Sequence, residues 1–194
     1  MCESGLASLA FFYCDFREDH KRHRRGLLSS LLVQLCQQSD VYYDALSKFY
    51  LAHNDGSQHA SDSELAQCLK DLLALPGQAT AYIVIDGLDE CPITAGLSSP
   101  REEVLRLMKE LAGLQGPIRP NMRICVTSRP EADIEIVLGP LAFRSVSLHG
   151  ENGQVEDIAE YIKFVVSTDP IMQKWRKEDK ELVIQVLTRK ADGM

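Results

Sequence analysis

Short runs of consecutive apolar residues, each stopped by a polar one, constrain this chain more than any other feature. Ala81-Tyr82-Ile83-Val84-Ile85 stops at Asp86. Leu9-Ala10-Phe11-Phe12-Tyr13-Cys14 stops at Asp15, and Met122-Arg123-Ile124-Cys125-Val126 at Thr127-Ser128-Arg129. Arg144-Ser145-Val146-Ser147-Leu148 stops at His149. Unbroken apolar runs of this length fit parallel strands covered on both faces. A parallel neighbour needs a long crossover, and helical patterns fill the intervals. Leu27, Leu28, Leu31, Leu32 and Leu35 recur at helical spacing, and a second pattern covers 41–52. A third runs over 64–75, with Leu65, Cys68, Leu69, Leu72 and Leu73 on one side. Ser61-Asp62-Ser63-Glu64 and Ser99-Pro100-Arg101-Glu102 read as capping boxes, the second opening a helix to about residue 114. Beyond 150 the patterns are helical only, around Val155, Ile158, Ile162 and Val165 and then Leu182, Val183, Val186 and Leu187. The expectation is an α/β doubly wound parallel sheet over residues 1–150 and the start of a helical subdomain over 151–194. The polar stretch 149–153 is the expected boundary.

The net charge of −7 argues against nucleic acid and anionic membranes as partners, since both are negative. No apolar run approaches the roughly 18 residues that span a bilayer. The first residues lack the basic opening of a secretory signal. Six cysteines, at 2, 14, 36, 68, 91 and 125, include no C-x-x-C pair and sit largely in apolar patterns. They read as buried free thiols of a reducing compartment, so a cytoplasmic location is expected. A metal site from Cys14, His20 and His23 has spacing but no convincing ligand set. The basic run His20-Lys21-Arg22-His23-Arg24-Arg25 reads as a solvated face. Trp175 reads as a packing residue of the helical part.

In an open parallel sheet, ligands bind at the carboxyl ends of the strands. Asp86 ends a buried strand, a costly place for a carboxylate unless something uses it. Hydrated magnesium is the usual user. Gly87 allows close backbone approach there, and Asp89 and Glu90 bring two more acids to the same edge. One of them could orient or deprotonate an attacking water.

Asp86-Gly87-Leu88-Asp89-Glu90, after its apolar strand, resembles the extended Walker B motif of NACHT domains in the STAND class of signalling P-loop nucleoside triphosphatases. Ile124-Cys125-Val126-Thr127-Ser128-Arg129-Pro130 resembles the sensor 1 strand of the same family. The first strand, the basic run and the leucine helix resemble the segment after the Walker A helix in fungal members. The nearest group is the nephrocystin-type N-terminal domain, often fused to ankyrin or WD repeats. The resemblance implies a three-layer P-loop sandwich and Mg2+ with ATP or GTP as cofactors. Asp86 would hold the metal through water, and Asp89 and Glu90 would be catalytic. Arg129 would face the terminal phosphate, beside Thr127 and Ser128, although those two hydroxyls read on their own as structural hydrogen-bonders. Arg129 could instead cap its loop or pair with Asp133. The implied function is a nucleotide-dependent oligomerisation switch, with self-association through this domain and repeat domains downstream.

The departure from the family is as informative. No G-x-x-x-x-G-K-[S/T] occurs, and no Gly-Lys pair at all. That loop cradles the phosphates. The expectation is a NACHT core lacking its Walker A strand and loop, which the family places between the sensor 1 strand and the strand at 144–148. Such a chain is expected to be inactive alone. A scaffold that has lost nucleotide binding is the alternative. A nuclease holding metals on Asp86, Asp89 and Glu90 is a third reading, weakened by the absence of a basic groove.

Overall fold

In a computed structural model, the described residues are 7–94, 98–114, 122–147 and 152–190, backbone only over 152–155. Three strands, β1 (Ala7–Tyr13), β2 (Thr80–Asp86) and β3 (Met122–Val126), form a parallel sheet in the order β1-β2-β3. Helices α1 (Arg24–Cys36), α2 (Asp40–Ala52) and α3 (Asp62–Leu73) lie between β1 and β2 in sequence. Helix α4 (Pro100–Ala112) links β2 to β3, and α5 (Ala132–Leu138) follows. This is an α/β architecture with the strand–helix alternation that the apolar runs predict.

Both predicted capping boxes form. Ser61 and Glu64 bond reciprocally at the start of α3, and Ser99 and Glu102 do so at α4 with Pro100 in the first turn. Each satisfies amides that have no partner inside the helix. The leucine stripe of α1 is fully internal: Leu27, Leu28, Leu31, Leu32 and Leu35 pack with Ala10, Phe12, Ile83 and Ile85 of the sheet and with Leu69, Leu72, Leu107 and Leu111 of α3 and α4.

Among the described residues of the first unit, the sheet departs from the sequence expectation in being covered on one face. Ala10, Phe12, Ala81, Ile83 and Ile85 are buried, while their alternates Leu9, Phe11, Tyr13 and Tyr82 are 39–57% exposed. Continuous apolarity suggested two covered faces. In the fold, the same residues alternate between a packed face and a bare one. Phe11 and Tyr13 stack edge to face on the bare side, with ring centroids 5.5 Å apart. Cys125, read as buried, is exposed on this face.

The fourth strand is a second correction. Residues 144–147 form no strand and are exposed, and Leu148 lies outside the described residues. Backbone in an extended run becomes a strand only when a neighbour's edge takes up its hydrogen bonds.

The two edges of the sheet differ. Gln38 accepts the Leu9 amide at 2.9 Å and donates to the Leu9 carbonyl at 2.7 Å. Gln34 treats Phe11 the same way, at 3.0 and 2.7 Å. The outer edge of β1 is thus closed by two side-chain amides four residues apart. Among the described residues, nothing pairs with the outer edge of β3.

The basic run at 20–25 is paired throughout. His20 and Lys21 meet Glu18, Arg22 and His23 meet Asp19, Arg24 meets Glu110 and Arg25 meets Asp62. The bases therefore tie the β1–α1 loop to itself and to α3 and α4 instead of facing solvent unpartnered.

The chain divides into two compact units, Met1–Ala142 and Phe143–Met194. The second contains α6 (Asn152–Thr168) and α7 (Lys177–Lys190). Asp169 caps the turn between them by accepting the amides of Ile171 and Met172 at 2.8 and 3.0 Å. Trp175, read as a packing residue, is 39% exposed. No helix is long and apolar enough to cross a membrane among the described residues.

Candidate functional site

The carboxyl ends of β2 and β3 lie side by side because the strands pair in register, Ile85 opposite Val126. Asp86 and Thr127 follow directly. The Thr127 hydroxyl donates to the Asp86 carboxylate and accepts the Gly87 amide at 3.0 Å. Backbone bonds extend the union: Thr127 N–H to the Ile85 carbonyl at 2.9 Å and Leu88 N–H to the Thr127 carbonyl at 3.0 Å. Thr127 is therefore the clasp between the two strands, the structural role its residue type suggested.

Gly87 has φ of +67°, in the left-handed region that favours glycine. A Cβ there would meet the Cys14 carbonyl oxygen at an ordinary 3.5 Å. Within the chain itself, the requirement for glycine is thus conformational. The turn sends the chain into a short 3-10 segment, Leu88–Glu90, with Leu88 fully buried as its anchor.

The three acids of this turn diverge. Asp86 faces Thr127. Asp89 accepts the Arg129 amide at 2.9 Å, with the Arg129 Nε 3.6 Å from its other oxygen. Glu90 accepts the Phe16 amide at 3.4 Å, joining this turn to the loop after β1. Arg129 is 83% exposed along its side chain and lies against Asp89; Asp133, its alternative partner, faces Arg101 instead. The Ser128 hydroxyl donates to the Arg129 carbonyl at 2.8 Å. No three His, Cys, Asp or Glu side chains converge as metal ligands among the described residues. The nuclease reading, which needs Asp86, Asp89 and Glu90 on shared metals, has no geometric basis here.

Arg101 is the residue that sequence reasoning missed. It is 6% exposed, and its guanidinium donates to the Cys91 carbonyl at 3.0 Å and the Asp89 carbonyl at 2.5 Å, with Asp133 at 3.4 Å. Three directed donors on one planar group fix the turn that carries Asp89 and Glu90. A signal was present: Arg101 sits in the first turn of α4, where the helix dipole disfavours a cation. Cysteine placement was also only partly legible. Cys14 and Cys91 bring their sulfurs to 3.5 Å beneath the acidic turn. Hydrogen bonding between the two thiols, with burial, raises Cys14, while that same bond and Arg101 lower Cys91 against the cost of burial.

The arrangement gathers the ends of β1, β2 and β3, with their polar residues, at one edge of the sheet. Residues 2–129, from ahead of β1 to Arg129, match the family model described as Nephrocystin 3, N-terminal. No curated protein matches the chain, and no solved structure does. The matched span is about two thirds of the sequence and takes in every residue of the carboxyl edge described above, so the chain belongs to the nephrocystin 3 N-terminal family.

Proposed function

We propose that this chain is the magnesium and sensor side of a NACHT-type, STAND-class P-loop domain, in a signalling protein whose self-association is switched by ATP or GTP. The observation that carries the reading is the clasp at the carboxyl edge. It sets Asp86-Gly87-Leu88-Asp89-Glu90 and Thr127-Ser128-Arg129 side by side on neighbouring parallel strands. The unpaired edge of β3 and the bare sheet face support it, as places for a further strand and helix.

The residues fit the cofactor in part. Asp86, at a strand end with one oxygen engaged by a neutral hydroxyl, suits a hydrated magnesium ion. The triphosphate finds no glycine-rich cradle or phosphate lysine in this sequence. Magnesium would supply charge neutralisation. The chain's own residues would position it: Thr127 holds the Asp86 carboxylate, Asp89 keeps Arg129 at the edge, and Arg101 holds the turn. A nucleotide would have to draw Arg129 from Asp89.

One observation favours the scaffold alternative: the Asp89 carboxylate is already engaged by the Arg129 amide, with the Arg129 Nε at 3.6 Å. Calorimetric titration separates the two. This chain alone should show no binding of Mg-ATP or Mg-GTP tighter than about 1 mM, an affinity of only about 4 kcal/mol. Supplying the chain with a Walker A strand, loop and helix from its own gene should bring micromolar binding that Asp86→Ala abolishes. If the gene encodes no such segment, or the extended protein still binds nothing, the scaffold reading stands. Tight magnesium-dependent binding by the present chain would overturn the claim that the loop is required.

A further inference from the structure

We propose that Cys14 and Cys91 form a redox-active dithiol, which a hydroperoxide converts to an intramolecular disulfide beneath the carboxyl edge. The two are 77 residues apart in sequence, and their sulfurs are 3.5 Å apart. They are the one pair within hydrogen-bond reach among the described cysteines. Their backbones are fixed independently of the thiols. The Cys14 amide donates to the Asp86 carbonyl at 2.9 Å, and the Cys91 amide to the Leu88 carbonyl at 3.1 Å. Arg101 holds the Cys91 carbonyl at 3.0 Å. A disulfide needs its sulfurs at about 2.05 Å, so closure asks for about 1.5 Å of approach by two side chains on anchored backbone. Both thiols are buried, at 6% and 1% exposure. That selects a small oxidant over a bulky disulfide.

The chemistry balances without further reagents. One thiol gives up its proton, and its sulfur attacks a peroxide oxygen. The O–O bond breaks, water leaves, and the attacking sulfur becomes a sulfenic acid. The second thiolate attacks that sulfur, the S–O bond breaks, and a second water carries off the oxygen with both protons. Two thiols are oxidised by two electrons to one disulfide, and one hydrogen peroxide is reduced to two waters. The remaining described cysteines contrast with this pair. Burial pushes Cys36 and Cys68 up to about 11, with Cys36 adding to the rise at Cys68, but the Cys36 thiol donates to the Tyr42 carbonyl at 3.3 Å and no hydrogen bond joins the two sulfurs. Cys125 is exposed and alone. The new bond would pin together the loops carrying Asp15 and Glu90. Any consequence for nucleotide binding rests on the proposed function; formation of the bond does not.

The test treats the full chain, carrying Cys2→Ser and Cys125→Ser, with hydrogen peroxide under native conditions. Alkylation and non-reducing tryptic mapping follow. Tryptic peptide 1–17 should be joined to peptide 71–101, with loss of two hydrogens and full reversal by dithiothreitol. The yield should be at least about tenfold higher than from urea-unfolded chain, because the fold supplies the proximity. In Cys14→Ser, Cys91 should instead advance to sulfinic acid for want of a resolving thiol. Equal yields from folded and unfolded chain, or separate sulfinic acids at Cys14 and Cys91 with no cross-link, overturn the proposal. The peptide map decides it even if Cys14→Ser fails to fold.

Discussion

The two edges of this small sheet end in opposite ways. At β1, Gln34 and Gln38 present a donor and an acceptor each to Phe11 and Leu9, as a neighbouring strand would. A primary amide carries the same pair of groups as a peptide unit, so two glutamines complete the ladder without a strand. At β3, among the described residues, the outer edge is met only by the Arg123 guanidinium, which donates to the Met122 carbonyl at 3.1 Å, and Met122, Ile124 and Val126 are only partly covered. Open edges invite pairing with other chains, and proteins usually blunt them. The contrast teaches that side chains close the β1 edge while the β3 edge is left without a strand neighbour among the described residues. That asymmetry, more than the acidic motif, supports the further strand proposed at β3.

The strongest way to break the comparison is to displace α1, which carries Gln34 and leads into the turn that carries Gln38. A Cβ on Gly26, in the first turn of α1, would lie 1.7 Å from the His20 carbonyl oxygen. The obstruction is backbone and cannot swing aside. Gly26→Ala should destabilise the chain by about 3 kcal/mol, the upper part of the range for overpacking, measured as a lowered urea midpoint. An unchanged midpoint would show that the β1–α1 loop yields freely. Next in size is removal of the amides themselves. The Gln34→Ala, Gln38→Ala double variant loses six side-chain hydrogen bonds, four of them to the strand edge, where water can partly replace them. It should lose about 2 kcal/mol, below the sum for these bonds at about 1 kcal/mol each. It should also gain concentration-dependent light scattering, as β1 then resembles β3. Wild-type scattering and stability would mean that the glutamine ladder does not set the edge.

Much of this was legible in the sequence because the signals were local. The capping boxes at Ser61 and Ser99 need only four residues each, and the leucine stripe of α1 only one helix face. Strands β1, β2 and β3 could be placed because each apolar run stops at a polar residue. The misreadings concern partners. Apolarity shows that Phe11, Tyr82 and Cys125 suit a covered surface, but not whether anything covers them. The residues at 144–147 have strand composition yet form no strand. Gln34, on α1, and Gln38, in the turn after it, look like ordinary polar positions until Leu9 and Phe11 are beside them. At the candidate site, the acidic turn and Arg129 were visible as motifs. The partners of Arg101 and Thr127, and the Cys14–Cys91 contact, arise from pairs 10 to 77 residues apart, so local patterns could flag the residues but not what they meet.

The smallest effect probes the ends of the two edge strands. After β3, Arg129 sits 3.6 Å from Asp89 and is largely in solvent. After β1, Arg17 grips Asp15 with Nε at 2.9 Å, a terminal nitrogen at 2.8 Å and its own amide at 2.9 Å. The Arg17 side chain, and then its amide, hold the Asp15 carboxyl down to about 2 from its ordinary 3.8, against a smaller opposing effect of burial. A depressed carboxyl stabilises the fold above its ordinary value and loses that contribution as pH falls through 3.8 toward 2. Arg17→Ala keeps the amide but loses the side-chain bonds, so Asp15 should titrate higher, part of the way back to 3.8. Its carboxyl carbon resonance would report this in an NMR titration. The acid limb of the stability curve should move to higher pH in step. Arg129→Ala, which touches neither Asp15 nor Arg17, is the matched control. An Asp15 titration unmoved by Arg17→Ala, or moved equally by both variants, would show that the loop after β1 is held no more firmly than the one after β3.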